Sequence, residues 1–264
     1  MKRRAFLAAT GAAAAASSFP APAISQGIRE LKLVSAYLKV PQVEMLAQSI
    51  TDISGGRLQV KLFTAGELVG SFEIFDAVSE GLADMYVGNE YYWQDRSPAF
   101  TFFTTVPYGL TAIEMYSWIH WGGGQELWDE LSANYNLKPF PSDIGENQMG
   151  GWYNKEIKSV EDFKGLRLRM PGLGGELMRR MGATVINLPA GEIVQALKSG
   201  ALDAAEWVGP DWDMLLGLHT AAKYYYYPGI HEPGNLQSFA INKTVWDSLA
   251  SAERKSIEAA LAGG

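Results

Sequence analysis

The chain of 264 residues contains no cysteine. That excludes disulfides, thiolate metal ligands, cysteine nucleophiles and the lipidated cysteine of a membrane-tethered lipoprotein. Histidine is almost as scarce: His120, His219 and His231 are scattered, and no sequence-local imidazole cluster of the zinc-enzyme kind exists. Phosphate-cradling glycine loops, a Gly-x-Ser-x-Gly elbow and a His-Glu-x-x-His helix are also missing. With them go the usual marks of nucleotide, hydrolase and metalloprotease chemistry. Positive charge is in short supply, with 22 Lys and Arg against 29 Asp and Glu. An acidic chain has no electrostatic reason to hold nucleic acid or an anionic bilayer, so an anionic ligand must be met by a local basic site.

What is present begins with Lys2-Arg3-Arg4-Ala5-Phe6-Leu7 and an alanine-rich run ending in Pro20-Ala21-Pro22-Ala23. Paired arginines, a Phe-Leu pair and an Ala-x-Ala-like site fit a twin-arginine export signal cleaved near Ala23. An unstructured tail or an uncleaved helical anchor are the alternatives. The apolar stretch is shorter than the roughly 20 residues that span a bilayer, and Gly11, Ser17, Ser18 and Pro20 interrupt it. Once the leader is removed, 19 basic residues face 29 acidic ones, and no part of the remainder is expected to insert into a membrane.

The remainder alternates short strands and amphipathic helices, the pattern of α/β layers. Leu31 to Ser35 predicts a strand. Val43, Leu46, Ala47, Ile50 and Ile53 then fall at helical spacing up to a Gly55-Gly56 stop, and Leu58, Val60 and Leu62 alternate as a strand. A helix is expected from about Ser71 to Glu80. Thr111 with Glu114 and Ser159 with Asp162 have capping-box spacing. Leu166, Leu168 and Met170 alternate, which puts Arg167 and Arg169 on the opposite face. Glu73 to Asp84 aligns without gaps on Glu192 to Asp203, each copy reading helix, glycine stop, then aspartate before a strand. If this weak repeat is a duplication, the chain has two similar lobes with a shared cleft.

The polar groups that could serve a cleft lie in the second half. Arg169 ends a strand just before Pro171, where its planar fork could grip a carboxylate; a surface ion pair is the other reading. Glu206-Trp207 follows a run of small residues and is either a cleft carboxylate or an ordinary loop acid. Gln148 precedes Gly150-Gly151, which allow close backbone approach or simply serve packing. The dense aromatics, among them Tyr91-Tyr92-Trp93, Phe100, Phe102, Phe103, Tyr108 and Tyr224 to Tyr227, could wall a pocket, stack sugars or fill cores.

At these residues the sequence resembles the solute receptors of tripartite ATP-independent periplasmic (TRAP) transporters. The resemblance runs from about Leu31 to the end and is carried by Ser54-Gly55-Gly56-Arg57-Leu58, Ala65-Gly66-Glu67-Leu68-Val69, Gln148-Met149-Gly150-Gly151-Trp152, Phe163 to Arg169 and Glu206-Trp207. Glu90 to Trp93 and Tyr224 to Gly229 are similar to the branch that binds 2-oxo acids and related monocarboxylates with a cation. The resemblance implies a type II periplasmic binding protein fold: residues 24–146 as one lobe, 147–235 as the second and 236–264 returning to the first. It implies a non-enzymatic receptor that captures a pyruvate-like 2-oxo or 2-hydroxy acid and delivers it to TRAP permease subunits. Arg169 would pair with the carboxylate, and Gln148, Glu206 and the Trp207 carbonyl would share a cation, Na⁺ rather than Ca²⁺. Glu232 and Gln237 are further candidates for the cation shell, and Tyr91 and Phe102 for the ligand wall. Two departures stand out. Ser35 to Gln42 is shorter than the loop usual in the family, leaving its place in the ligand wall open. Family members also continue beyond the position of Gly264, so the C-terminal part of the fold, which can support a homodimer, is expected to lie outside this sequence. A cofactor-bearing periplasmic enzyme and a sensor module using the same cleft are the rival readings.

Overall fold

A computed structural model describes residues 27–263; the twin-arginine leader expected at 1–23 lies outside them. Ten strands are present among the described residues. They are β1 (Arg29–Ser35), β2 (Leu58–Phe63), β3 (Met85–Gly88), β4 (Leu137–Gly145), β5 (Gly151–Tyr153), β6 (Arg167–Arg169), β7 (Thr184–Ile186), β8 (Ala204–Ala205), β9 (Tyr224–Tyr226) and β10 (Asn235–Asn242). The α-helices are α1 (Pro41–Ile53), α2 (Ile74–Ser79), α3 (Ala112–Trp121), α4 (Gly124–Ala133), α5 (Gly172–Arg180), α6 (Ala190–Lys198), α7 (Pro210–Leu216), α8 (Lys243–Ser248) and α9 (Ser251–Leu261). None is long and apolar enough to cross a membrane.

The strands form two five-stranded sheets, ordered β2-β1-β3-β10-β4 and β7-β6-β8-β5-β9. The sheets share one plan. A central strand pairs in parallel with the next two strands of its own segment, and an antiparallel pair completes each sheet. The aspartates that close the two sequence repeats explain why. Asp84 accepts the Lys32 backbone N–H on β1 at 2.7 Å, and Asp203 accepts the Arg167 N–H on β6 at 2.9 Å. Asparagines at matching places finish the brace: Asn242 N–H donates to the Asp84 carbonyl and Asn154 N–H to that of Asp203, at 2.8 and 2.9 Å. Their side chains reach the aligned helix residues Val78 and Leu197. The repeat is therefore structural.

Local expectations hold with two adjustments. Gly55 and Gly56 take positive φ after α1 as the stop requires, and Glu114 accepts the Thr111 N–H at 2.9 Å ahead of α3. The helix expected from Ser71 is α2 alone, since Glu73 N–H bonds to the Gly70 carbonyl in a separate turn. The run of small residues before Glu206 pairs as a strand only at Ala204 and Ala205. A buried core runs through Leu31, Leu33, Tyr86, Phe239 and Ile241 of the first sheet and Phe75 of α2, and a smaller one through Leu166, Leu168 and Met178 lies against the second. Two crossovers join the sheets, one between β4 and β5 and one between β9 and β10. They lie side by side, with Gln148 N–H on the Glu232 carbonyl at 3.0 Å and Gly229 N–H on the Gln148 carbonyl at 2.9 Å.

Candidate functional site

The symmetry of the two sheets breaks where chemistry begins. The strand register aligns Val34 and Val87 of the first lobe with Arg169 and Glu206 of the second, so both charges belong to one wall. Arg169, at the end of β6, is 1% exposed, and Glu206, just past β8, is fully buried. Arg169 Nη1 donates to the Glu206 backbone carbonyl at 2.7 Å and to its Oε2 at 3.2 Å, and Nε donates to the Leu188 carbonyl at 3.2 Å. The guanidinium lies over the Trp207 ring, 5.0 Å from its centre. Arg167, two residues earlier on the same strand, pairs instead with Asp203 at the surface.

This network is incomplete. Arg169 Nη2, Glu206 Oε1 and Gln148 Oε1 are buried and have no hydrogen-bond partner among the described residues. Buried polar atoms rarely stay unpaired, because each costs roughly 1–3 kcal/mol. One free donor edge on the arginine and two free oxygens fit a carboxylate beside a hard cation, and the oxygen donor set suits Na⁺ or Ca²⁺. The Gly150-Gly151 pair makes this approach possible: Gly151 has φ +101°, and a Cβ there would lie 2.9 Å from the Ala205 carbonyl oxygen and 3.2 Å from the Glu206 Cα.

His231 and Glu232, on the second crossover, complete the buried cluster. His231 Nε2 stands 3.6 Å from Glu206 Oε1, and Glu232 accepts from the Asn235 side chain at 2.5 Å. One ligand atom from each of Glu206, His231 and Glu232 falls within a 4.8 Å group. Burial works against charge on His231, but the Glu206 carboxylate outweighs it and holds the imidazole pKa above its ordinary value. That neighbour therefore favours the charged form of the ring, in which no lone pair is left for a metal. Burial, then the Glu206 charge, pushes Glu232 up to about 7.

The cleft beside this cluster holds about 300 Å³ and is walled by Tyr37, Tyr91, Tyr92, Trp207 and Trp212. Burial raises the pKa of the Tyr37, Tyr91 and Tyr92 phenols, so they remain neutral hydrogen-bonding groups. Gln148 and Gln237 line it as well, with the exposed Asp143 and Glu146 at its edge. The short Ser35 to Gln42 segment does contribute to the wall, through Tyr37, whose ring meets Trp207 edge-on across the lobes at 6.4 Å. Phe102 does not. In the 3-10 turn Pro98–Phe103, the three-residue period turns Phe100 and Phe103 inward and leaves Phe102 53% exposed. Phe102 lines a separate apolar groove of about 700 Å³ with Trp118, Leu127 and Leu131, which holds no buried charge. Of the tyrosine run, Tyr227 is 69% exposed and Tyr224 to Tyr226 form the edge strand β9. Tyr37, Asn89 and His231 were not singled out as site residues from sequence, and Tyr92 was named only within the aromatic run.

Residues 34–263 match the bacterial extracellular solute-binding proteins of family 7. The chain belongs to this family. The monocarboxylate 2-oxoacid-binding periplasmic protein of Nostoc sp. is 46% identical over 206 residues, which cover 78% of this chain and 57% of that protein. The chain thus spans little more than half the length of this curated relative. A TRAP periplasmic solute-binding protein from Pseudoalteromonas atlantica, solved with sodium and pyruvate, superposes with a TM-score of 0.86 at 36% identity, covering 90% of this chain and 73% of that one. Its counterpart from Colwellia psychrerythraea, solved with calcium and pyruvate, gives 0.86 at 37% identity, covering 90% and 74%. The two-lobed periplasmic binding protein fold is shared with both.

Proposed function

We propose that this family 7 chain captures a small 2-oxo or 2-hydroxy monocarboxylate of the pyruvate kind outside the cytoplasmic membrane. The observation that carries this reading is the unfinished network around Arg169: one buried Nη2 with no partner, beside buried Glu206 and Gln148 oxygens that also lack one. Arg169 Nη2 binds the ligand carboxylate, while its other nitrogens are fixed by Leu188 and Glu206. Gln148, Glu206 and the Trp207 carbonyl hold the cation, with Glu232 and Gln237 in reserve behind them. The bound cation supplies positive charge that offsets the repulsion between Glu206 and the acid. Sodium is the proposed ion: its single charge, with that of Arg169, balances Glu206 and a monocarboxylate. Tyr37, Tyr91 and Tyr92 exclude water and so strengthen each contact.

The closed form then docks on TRAP permease subunits, which supply the driving force. Export through the twin-arginine leader, a periplasmic location and a homodimer in the complete protein belong to the same reading. Membership of a solute-binding family favours it over a cofactor-bearing enzyme, and a sensor would differ only in its partner.

Calorimetry on chelator-treated protein tests the proposal. Pyruvate should bind in the presence of Na⁺ and fail to bind when a large organic cation replaces it. In Arg169→Lys, which keeps the charge but loses the planar fork, affinity should fall by about 2–3 kcal/mol. Pyruvate, 2-oxobutyrate and lactate all failing to bind with either Na⁺ or Ca²⁺ would overturn the ligand class.

A further inference from the structure

Asp213 does not line the cleft, yet its side chain anchors the segment that carries the Trp207 carbonyl. It is the one buried residue of α7 and is fully inaccessible to solvent. No lysine, arginine or histidine pairs with it among the described residues. Its partners are three neutral donors. The Val208 backbone N–H reaches Oδ1 at 3.1 Å, and the Trp152 indole N–H and Tyr225 hydroxyl reach Oδ2 at 2.9 and 2.8 Å. Burying a carboxylate with only neutral donors around it is costly, and three hydrogen bonds offset only part of that cost. A role in positioning accounts for that cost.

Peptide geometry supplies the role. The Trp207 carbonyl and the Val208 N–H belong to one planar trans unit and point in opposite directions. Anchoring the N–H on Asp213 therefore aims the Trp207 carbonyl away from α7. That carbonyl accepts no hydrogen bond among the described residues. A carboxylate on the N–H also polarises the peptide and makes its carbonyl oxygen more negative. The next unit is tied down too, with Met149 N–H on the Val208 carbonyl at 3.0 Å, which links the segment to Gln148. Trp152 lies on β5 and stacks on Tyr225 at 4.1 Å, so the other two donors to Asp213 form a unit separate from the Val208 bond.

We propose that Asp213 is a positioning residue for the cation site, orienting and polarising the Trp207 carbonyl through the Val208 N–H. This rests on the reading of that carbonyl as a cation ligand. Direct calorimetric titration of Ca²⁺ and of Na⁺ into the chelator-treated chain, without organic acid, tests it. In Asp213→Asn the amide has one acceptor oxygen for three donors. The cation dissociation constant should rise about tenfold, the scale of lost outer-shell support. The Trp152→Phe/Tyr225→Phe double variant removes the other two donors and leaves the Val208 bond in place. Its cation constant should stay near wild type even as its cation-free melting temperature falls. A folded Asp213→Asn protein with unchanged cation affinity would overturn the proposal while leaving the cation reading intact. An equal loss in the double variant would overturn it as well, by showing that general rigidity suffices; that variant decides the matter if Asp213→Asn does not fold. Wild-type protein that takes up neither ion removes the cation reading and this role together.

Discussion

Arg169 shows how far a single residue can be read. A strand-end arginine before a proline was visible in the sequence, but its burial and its free Nη2 depend on Glu206, 37 positions later, and on the Leu188 carbonyl. Glu90 gave no such warning. It sits beside the cleft tyrosines, fully buried, with the Tyr86 hydroxyl on Oε1 at 3.0 Å and no partner for Oε2 among the described residues. Burial pushes its pKa from 4.5 to about 7, against the opposing hydrogen bond from Tyr86. Below the unfolded value both states are protonated and folding carries no penalty from this group. The penalty grows through the window between the two values and is complete above the folded one, on the order of 3 kcal/mol. Glu90→Gln should therefore match wild type in urea midpoint at acid pH and exceed it at alkaline pH. A difference between the two proteins that does not vary with pH would rule out Glu90 as the titrating group.

At the level of elements, periodicity worked where one face was buried and the neighbours were local. The strand Leu166 to Met170 and the capped start of α3 were legible for that reason. The 3-10 turn that carries Phe102 was not, because a period of three in a run of aromatics resembles a wall. The second crossover was also obscure, since its shape comes from contacts with distant segments. Thr105 Oγ1 donates to the Gly234 carbonyl at 2.7 Å, and a Cβ on Gly234 would lie 2.5 Å from Ala112 N and 2.6 Å from the Thr111 carbonyl carbon. Both obstacles are backbone at the N-terminus of α3 and cannot swing aside. Gly234→Ala should destabilise the protein by about 1–3 kcal/mol, as overpacking does. It should also weaken cation-dependent binding, because the displaced crossover carries His231 and Glu232. Equal melting temperature and equal affinity would show that the contact yields.

On the scale of the whole molecule, the internal repeat was faint in sequence because only the helix, glycine and aspartate persisted, while the bracing Asn154 and Asn242 lie far from the aligned segments. Each lobe carries its own Asp-Asn brace, and the paired crossovers join lobes that are internally tied. The rim between them has a kinetic consequence. Asp143 and Glu146 edge the cleft, no Lys or Arg is among its described lining residues, and the chain as a whole has a formal charge of −7. An organic acid diffusing in meets a repulsive field before it can feel Arg169, whereas a small cation is drawn inward. On the proposed reading, the rim then favours the inorganic ion loading first. Inert salt shortens the reach of that repulsion, to a Debye length of about 10 Å at 0.1 M. Association of pyruvate at saturating Na⁺ should therefore speed up as ionic strength rises, opposite to the behaviour of an electrostatically steered anion site. Stopped-flow tryptophan fluorescence across a salt series measures it, and a rate that falls with salt would mean that the acid feels Arg169 from outside the rim.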